Sequence, residues 1–225
     1  IRNFNNFLKN SSIEYINIPS SLSSIVDNWP ESVNKLNHIS ISDENKCFVY
    51  HNNDFLLTKS NYNSEDNDTL IFARRNIKFA SIPCFIKTIN SFAFNCCKLI
   101  RKIKFAKNSM LKIICKNAFN NSSIEDILIP SSVVTIEANA FYECRRLNKI
   151  EFEKNSNLLQ IGKYAFSKTS IKSIQIPSKV CKIGKKAFYN CSNLINVNFL
   201  DDSNLSILKI DAFNYQSIIS LSITS

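Results

Sequence analysis

Apolar residues recur along the chain in a fixed local pattern, in which one apolar position is followed three and five residues later by two more. The last two of these positions alternate with polar residues. An alternation with a period of two predicts a β-strand that has one face in a core and the other in solvent. The pattern predicts nine strands, centred on Ile16, Ile39, Ala80, Ile103, Ile127, Ile150, Ile174, Val197 and Leu221.

The dipeptide Ala-Phe recurs between these predicted strands at a nearly constant interval. Its phenylalanines are separated by 25, 22, 25, 22 and 25 residues, so two repeat lengths alternate. A unit of this length cannot bury its own apolar side, and it becomes stable only when it stacks on its neighbours. Stacking places equivalent residues on top of one another. We therefore expect a buried ladder of aromatic rings formed by Phe94, Phe119, Phe141, Phe166, Phe188 and Phe213.

One segment interrupts the repeat. The strand patterns follow one another at intervals of 23 or 24 residues, except for a step of 41 residues between Ile39 and Ala80. Residues 42–76 do not repeat, and they contain short apolar runs separated by polar residues, which predicts a β-hairpin insert. The segment has no glycine, so we expect Asn52 and Asn53 to supply any positive φ that its turn requires.

The longest repeated string reads Ile-Pro-Ser-x-Val-x-x-Ile-x-x-x-Ala-Phe-x-x-Cys-x-x-Leu-x-x-Ile from Ile129 to Ile150, and it returns from Ile176 with Val197 in the last place. This string resembles the repeat of BspA-like, or treponema-type, leucine-rich repeat proteins, and the resemblance covers almost the whole chain. It implies a leucine-rich repeat solenoid of the α/β horseshoe class, mostly strand and coil, with a parallel concave sheet of about nine strands. We expect one such domain over 1–225, cut from a longer protein.

Members of that family are known mainly as surface proteins of host-associated bacteria and of mucosal parasitic protists, with roles in adhesion and in binding host proteins. The resemblance therefore implies a binding module at the cell surface or in secreted form, with a protein partner such as a host cell-surface protein. An intracellular scaffold or sensor that binds a protein of its own cell stays open as an alternative. So does self-association through the exposed terminal coils.

The charge of the chain adds a third alternative. The net charge is +10, and it is uneven: residues 1–76 carry 7 basic and 9 acidic side chains, whereas residues 77–225 carry 21 basic and 9 acidic ones. Such a surface attracts anions, and Lys116, Lys163 and Lys185 recur three residues before a repeat phenylalanine. This lysine ladder could bind a sulfated glycan. A nucleic-acid partner is not expected, because the predicted strands carry no continuous basic stripe.

The residue types present exclude most catalytic sites. Both glycines of the chain, Gly162 and Gly184, lie in the same Ile-Gly-Lys-x-Ala-Phe context, so no glycine-rich phosphate loop can be formed. The two histidines leave little material for metal sites or for Ser-His-Asp chemistry. Cys97, Cys144 and Cys191 lie 47 residues apart at one repeat position, which predicts buried structural thiols. We expect no enzyme activity, no cofactor and no metal.

The candidate ligand-binding residues are the solvent-facing positions of the predicted strands, because a solenoid presents them together on one curved face. Exposed aromatic side chains are common anchors of protein interfaces. Tyr15, His38 and Phe79 predict an aromatic cluster in the N-terminal part of this face, unless the hairpin insert packs over them. The other candidates are Lys102, Lys104, Asp126, Leu128, Lys149, Glu151, Gln175, Asn196 and Asn198.

Overall fold

The computed structural model describes residues 12–26, 28–59, 67–200 and 202–213, together with the backbone of Ser220–Ser222. The chain winds into a solenoid, and each coil contributes one short strand to a concave face, so the nine predicted strands are confirmed. They are β1 (Tyr15–Ile18), β2 (His38–Ile41), β6 (Phe79–Ile82), β8 (Lys102–Phe105), β10 (Asp126–Ile129), β12 (Lys149–Phe152), β14 (Ser173–Ile176), β16 (Asn196–Phe199) and β18 (Ser220–Ser222). No helix in these ranges is long and apolar enough to cross a membrane.

The concave strands run parallel, and each residue lies beside its equivalent in the next coil. Ile16 pairs with Ile39 across β1 and β2, and Ile127 pairs with Ile150 across β10 and β12. Because this register stacks inward residues on inward residues, the apolar side chains form a continuous column along the axis on each side of the insert, as expected for a solenoid. Hydrogen-bond ladders join the strands in three groups, which are β1-β2, β6-β8-β10-β12 and β14-β16-β18.

A second set of parallel strands, which the apolar pattern did not predict, lies on another side of each coil. Each strand has only two residues and ends five positions before a repeat phenylalanine, so it is too short to show a period of two. These strands are β7 (Thr88–Ile89), β9 (Ile113–Ile114), β11 (Thr135–Ile136), β13 (Gln160–Ile161), β15 (Lys182–Ile183) and β17 (Ile207–Leu208). They form a second wall of the core.

The Ala-Phe turns stack as predicted. From Phe94 to Phe188, the N–H of each phenylalanine donates to the carbonyl of the alanine in the next coil at 2.7–2.8 Å. This ladder fixes the height of each ring relative to the next one. Neighbouring rings therefore stack at centroid distances of 4.8–5.4 Å with interplanar angles of 2–17°, from Phe94 through to Phe213. The five rings from Phe94 to Phe188 are fully buried, and Phe213 is partly buried.

Left-handed backbone conformations make this ladder possible. Around Phe119, the residues two before and two after it, Asn117 and Asn121, have φ of 58° and 55°. Around Phe166, the same positions hold Tyr164 and Lys168, with φ of 55° and 60°. The N–H groups of these residues also donate to the next coil, at 2.8–3.1 Å. Asparagine tolerates this conformation well, whereas other non-glycine residues adopt it at a cost of about 1–2 kcal/mol each.

The insert forms the predicted hairpin. Strand β3 (Phe48–His51) pairs antiparallel with β4 (Phe55–Thr58), and Asn52 and Asn53 in the turn have φ of 51° and 55°. Two consecutive residues with positive φ are typical of the type I′ turn that matches the twist of a hairpin. A third strand, β5 (Thr69–Ala73), pairs antiparallel with β4 and parallel with β7. The insert is thereby part of the second wall of the solenoid.

Strands β4 and β5 are buried on both faces, because they separate two apolar cores. Leu56 and Phe72 pack in the N-terminal core, where the Phe72 ring lies 5.2 Å from Trp29. Phe55 and Leu57 pack in the main core, where the Phe55 ring lies 6.0 Å from Phe94. The insert therefore continues the aromatic ladder toward the N-terminal coils.

Arg75 joins the two cores and is 4% exposed. Its guanidinium donates to the carbonyl oxygens of Pro30 (2.6 Å) and Val33 (3.3 Å) on one side, and of Ala93 (2.9 Å) on the other. It also lies 4.5 Å from the centre of the Phe72 ring. No carboxylate in the described residues pairs with this cation, and burial lowers the pKa of Arg75. Backbone carbonyls and an aromatic face therefore compensate the buried charge.

Candidate functional site

The concave face begins with a stacked aromatic pair. The rings of Tyr15 and His38 lie on neighbouring strands at a centroid distance of 5.2 Å and an interplanar angle of 14°. The Tyr15 hydroxyl is 2.7 Å from Ser40 Oγ, which itself donates to Asn17 Oδ1 at 2.8 Å. Because the Ser40 proton is used on Asn17, the Tyr15 hydroxyl is the donor to Ser40. This network orients the tyrosine ring on an otherwise open surface.

Phe79 lies apart from this pair. It begins β6, opposite Lys102 of β8, and no hydrogen-bond ladder joins β6 to β2. Among the described side chains, Phe79 makes no ring contact with Tyr15 or His38. The hairpin covers neither aromatic side chain, since Tyr15 is 54% and Phe79 is 50% exposed. The face thus carries two separate aromatic anchor points.

The middle of the concave face combines paired charges with one open apolar side chain. Lys102 Nζ lies 3.9 Å from Asp126 Oδ1, and Lys149 Nζ lies 3.0 Å from Glu151 Oε2. These exposed pairs are worth little for stability, yet they cancel most of the local charge. Leu128 lies between them on β10 and is 47% exposed. Lys104 is exposed and forms no ion pair within the described residues.

The C-terminal part of the face is polar and uncharged. Gln175 on β14 lies opposite Asn198 on β16, and both side chains are exposed. Asn196, on the same strand as Asn198, is half-buried and lies opposite Ser173. Amide side chains donate and accept hydrogen bonds, so this part of the face suits a polar surface better than an apolar one.

The lysine ladder lies on the side of the Ala-Phe turns, but the lysines that line one groove there differ from the predicted set by one residue. Lys116 and Lys163 line an open groove of about 720 Å³ there, and Lys186 lines it instead of Lys185. Three tyrosines that were not predicted as site residues also line it, namely Tyr142, Tyr164 and Tyr189. Their signal in the sequence was an aromatic residue one position after, or two positions before, a repeat phenylalanine.

The thiols at the repeat position are buried, as predicted. Cys144 Sγ donates to the Phe119 carbonyl at 2.9 Å, and Cys191 Sγ donates to the Phe166 carbonyl at 3.0 Å. Burial raises the pKa of the Cys144 thiol to about 12, and it also raises the pKa of Cys97 and of Cys191. None of the eight cysteines forms a disulfide. The described residues contain no group of three or more His, Cys, Asp or Glu side chains that could hold a metal ion.

A family model described as the BspA type leucine rich repeat region matches the chain in six copies, over residues 3–64, 67–159 and 112–225. No curated protein matches the chain. The matched ranges include every strand of the concave face and the hairpin insert.

Solved structures of leucine-rich repeat proteins are similar to the chain. One from Eubacterium ventriosum is 21% identical with a TM-score of 0.75, and the match covers 95% of this chain and 61% of that one. A leucine rich cell surface protein from Faecalibacterium prausnitzii is 22% identical with a TM-score of 0.59, covering 84% and 48%. The pneumococcal vaccine antigen PcpA is 27% identical with a TM-score of 0.54, covering 63% and 34%. The chain thus spans between a third and two thirds of the length of these proteins.

Proposed function

Because the chain belongs to the BspA-type leucine-rich repeat family, we propose that it is a non-enzymatic binding module that recognises a protein ligand with the concave face of its solenoid. The observation that carries this proposal is the set of open apolar side chains on that face. Tyr15, Phe79 and Leu128 are each about half exposed on one curved surface whose charges are largely paired. Aromatic side chains in such positions act as anchors when a partner excludes water around them.

The two aromatic anchor points favour an extended ligand surface. Tyr15 and Phe79 lie on β1 and β6, at separate positions along the solenoid axis. A ligand that contacts both anchors must reach from β1 past β2 to β6, and it therefore buries a wide contact area. Contact areas of about 800 Å² per partner are typical of stable protein complexes. A protein surface meets this requirement more readily than a small molecule does.

The location that we propose for this activity is the cell surface. The family is generally surface-associated, and one similar structure is that of a leucine rich cell surface protein. The ligand class that follows is a protein of a host cell or of the surrounding medium. A partner from the cell's own cytosol is the competing proposal, and the experiment below separates the two.

The test is capture followed by titration. The chain is immobilised and exposed in parallel to biotinylated surface proteins of mucosal epithelial cells and to a cytosolic extract of the source cell. Any protein that is retained is purified and titrated by surface plasmon resonance against the wild type and against Tyr15→Ala/Phe79→Ala. A protein interface anchor is worth at least about 2 kcal/mol, so we expect the double variant to bind about 30-fold more weakly or worse.

The matched control is Met110→Ala/Leu159→Ala. These side chains are exposed to 47% and 40%, but they lie outside the concave strands. We expect this variant to keep wild-type affinity. Equal binding by both double variants contradicts a concave-face site, and retention of cytosolic proteins alone contradicts the surface role.

A further inference from the structure

The groove on the Ala-Phe side has a composition unlike the rest of the surface. It spans four successive coils, and three tyrosines run along it as a ladder. The rings of Tyr142 and Tyr164 are 6.3 Å apart, and those of Tyr164 and Tyr189 are 6.4 Å apart, with interplanar angles of 80° and 87°. Neighbouring rings are therefore nearly perpendicular, in the edge-to-face arrangement that aromatic pairs favour.

Lysine ammonium groups lie over these rings. Lys163 Nζ is 5.2 Å from the centre of the Tyr164 ring, and Lys186 Nζ is 4.6 Å from the centre of the Tyr189 ring. Cation–π contacts of this kind hold a flexible lysine in a defined place without neutralising its charge. Within the described residues, Lys163 and Lys186 form no ion pair. Their positive charges are thus positioned but uncompensated.

Acidic side chains do not line the groove in the part of the chain that the structure describes. Two carboxylates contact residues of its lining: Glu137 accepts from the backbone N–H of Lys116 at 2.9 Å, and Glu143 accepts from the Lys168 ammonium at 2.7 Å. The hydrogen bond from Lys168 lowers the pKa of Glu143, so this carboxylate is held as a charged partner of Lys168. Lys116, Lys163 and Lys186 together give the groove a net positive charge, which concentrates anions there.

Three residues of the groove have a positive φ although none of them is asparagine or glycine. Tyr164, Lys168 and Lys186 have φ of 55°, 60° and 57°, whereas asparagine holds the two positions around Phe119. Asparagine or glycine adopts this conformation at lower cost than tyrosine or lysine. The conformation belongs to the repeat itself, since Phe92, Cys96 and Glu143 adopt it at equivalent positions outside the groove. Within the groove, these positions hold tyrosine and lysine side chains that reach its surface.

We propose that this groove is a second binding site, independent of the concave face, and that it takes a linear anionic glycan. The sulfate or carboxylate groups of the glycan lie on the ammonium groups of Lys163 and Lys186. Its sugar rings and hydroxyls lie along the ladder of Tyr142, Tyr164 and Tyr189. Lysine suits such a ligand, because its compact ammonium group carries three rotatable donors and accepts anionic groups from varied directions.

The walls of the groove favour a glycan over an acidic peptide. Peptides commonly bind by adding a strand to a free sheet edge, which requires unpaired backbone groups. Here the N–H groups of Asn139, Tyr164 and Lys168 already donate to the next coil at 2.9–3.1 Å. The turns therefore offer ring edges, hydroxyls and ammonium groups but few backbone partners. A ligand whose polar groups stand on saccharide rings matches that set.

The experiment measures binding of a heparin dodecasaccharide to the whole chain by isothermal titration calorimetry. Lys163→Gln/Lys186→Gln removes two charges from the groove, and Lys107→Gln/Lys172→Gln removes two charges from exposed lysines elsewhere. We expect the groove variant to bind at least tenfold more weakly and the control variant to stay within twofold of wild type. Equal weakening by both variants overturns the proposal, because it would show attraction by net charge alone.

Two further measurements use the wild-type chain, so they do not depend on whether the variants fold. In wild type, the heparin dodecasaccharide should slow acetylation of Lys163 and Lys186 at least fivefold and leave the acetylation rates of Lys107 and Lys172 unchanged, as measured by mass spectrometry. An unprotected groove overturns the proposal. A poly-glutamate peptide of equal charge should bind at least tenfold more weakly than heparin. Equal affinity with the same dependence on Lys163 and Lys186 overturns the glycan assignment and makes the groove a site for acidic peptides.

Discussion

Phe141 is the strongest point at which to test the stacked aromatic ladder. Its side chain is fully buried, and it stacks on Phe119 at 4.9 Å and on Phe166 at 5.1 Å. In a repeat protein, a central coil has interfaces with two neighbours, whereas a terminal coil has an interface with only one. Phe141→Ala therefore weakens two interfaces at once. Phe213→Ala weakens one described stacking contact, because Phe213 lies 5.0 Å from Phe188 and is only partly buried.

The expected magnitudes follow from burial and from ring contacts. A buried Phe→Ala change costs about 3–5 kcal/mol, and each aromatic pair adds about 0.5–1.5 kcal/mol. We expect Phe141→Ala to lower the free energy of unfolding by about 5 kcal/mol and Phe213→Ala by about 2 kcal/mol. Phe141→Leu keeps most of the volume but loses both ring contacts, so it should fall between them, at about 2–3 kcal/mol.

The assay is urea unfolding followed by far-UV circular dichroism, combined with hydrogen exchange of the Phe119 and Phe141 amides. These amides donate to Ala140 and Ala165 in the next coils at 2.8 and 2.7 Å, so their exchange reports the local opening of both interfaces. In Phe141→Ala both should exchange faster, and in Phe213→Ala neither should change. If the two alanine variants lose equal stability, the rings do not stabilise the interfaces between coils in proportion to their stacking contacts, and the prediction is wrong.

Three other predictions concern buried charge, buried thiols and backbone strain. Arg75→Met removes the guanidinium donor to the Pro30 carbonyl and one of the two donors to the Ala93 carbonyl, which keeps its hydrogen bond from the Ala73 N–H. We expect the free energy of unfolding to fall by about 3 kcal/mol and the two cores to unfold in separate thermal transitions, measured by calorimetry. The Cys144 thiol has an ordinary pKa of 9.0 and a folded pKa of about 12, so stability falls as pH rises above 9; in Cys144→Ser the slope between pH 9.5 and 10.5 should be shallower by about 1.4 kcal/mol per unit. Lys186→Asn should raise the free energy of unfolding by about 0.5–1 kcal/mol, because asparagine tolerates its φ of 57°, and should weaken heparin binding in the same sample; an unchanged midpoint in urea contradicts this.

The features that could be predicted from the sequence are those that repeat or that follow a period of two. The strands around Ile127 and Ile150 were visible because inward and outward residues alternate, and the ring stack was visible because Ala-Phe returns at fixed intervals. The hairpin turn was predictable because Asn52 and Asn53 were the residues in the segment best suited to positive φ. Of the site, the sequence placed Tyr15 and His38 side by side.

Other features depend on contacts between distant residues, which one sequence does not display. Arg75 reads as one of two adjacent surface arginines, and only the meeting of Pro30, Val33 and Ala93 around it makes it a core residue. The tyrosine ladder was hidden because the two coil lengths alternate, so that Tyr142 follows its phenylalanine by one position while Tyr164 precedes its own by two. We predicted that Phe79 clusters with Tyr15 because their strands are close in the order of repeats. The sequence does not show that β2 and β6 belong to separate sheets.

The insert packs against both apolar cores, and this position affects how the number of repeats can change. Strands β4 and β5 cover the N-terminal coils with one face and the main stack with the other. A pair of coils gained or lost on one side leaves the apolar contacts of the opposite side in place. The insert is therefore a junction at which two blocks of repeats can vary independently, and a gene built this way can reshape one ligand surface while it preserves the other.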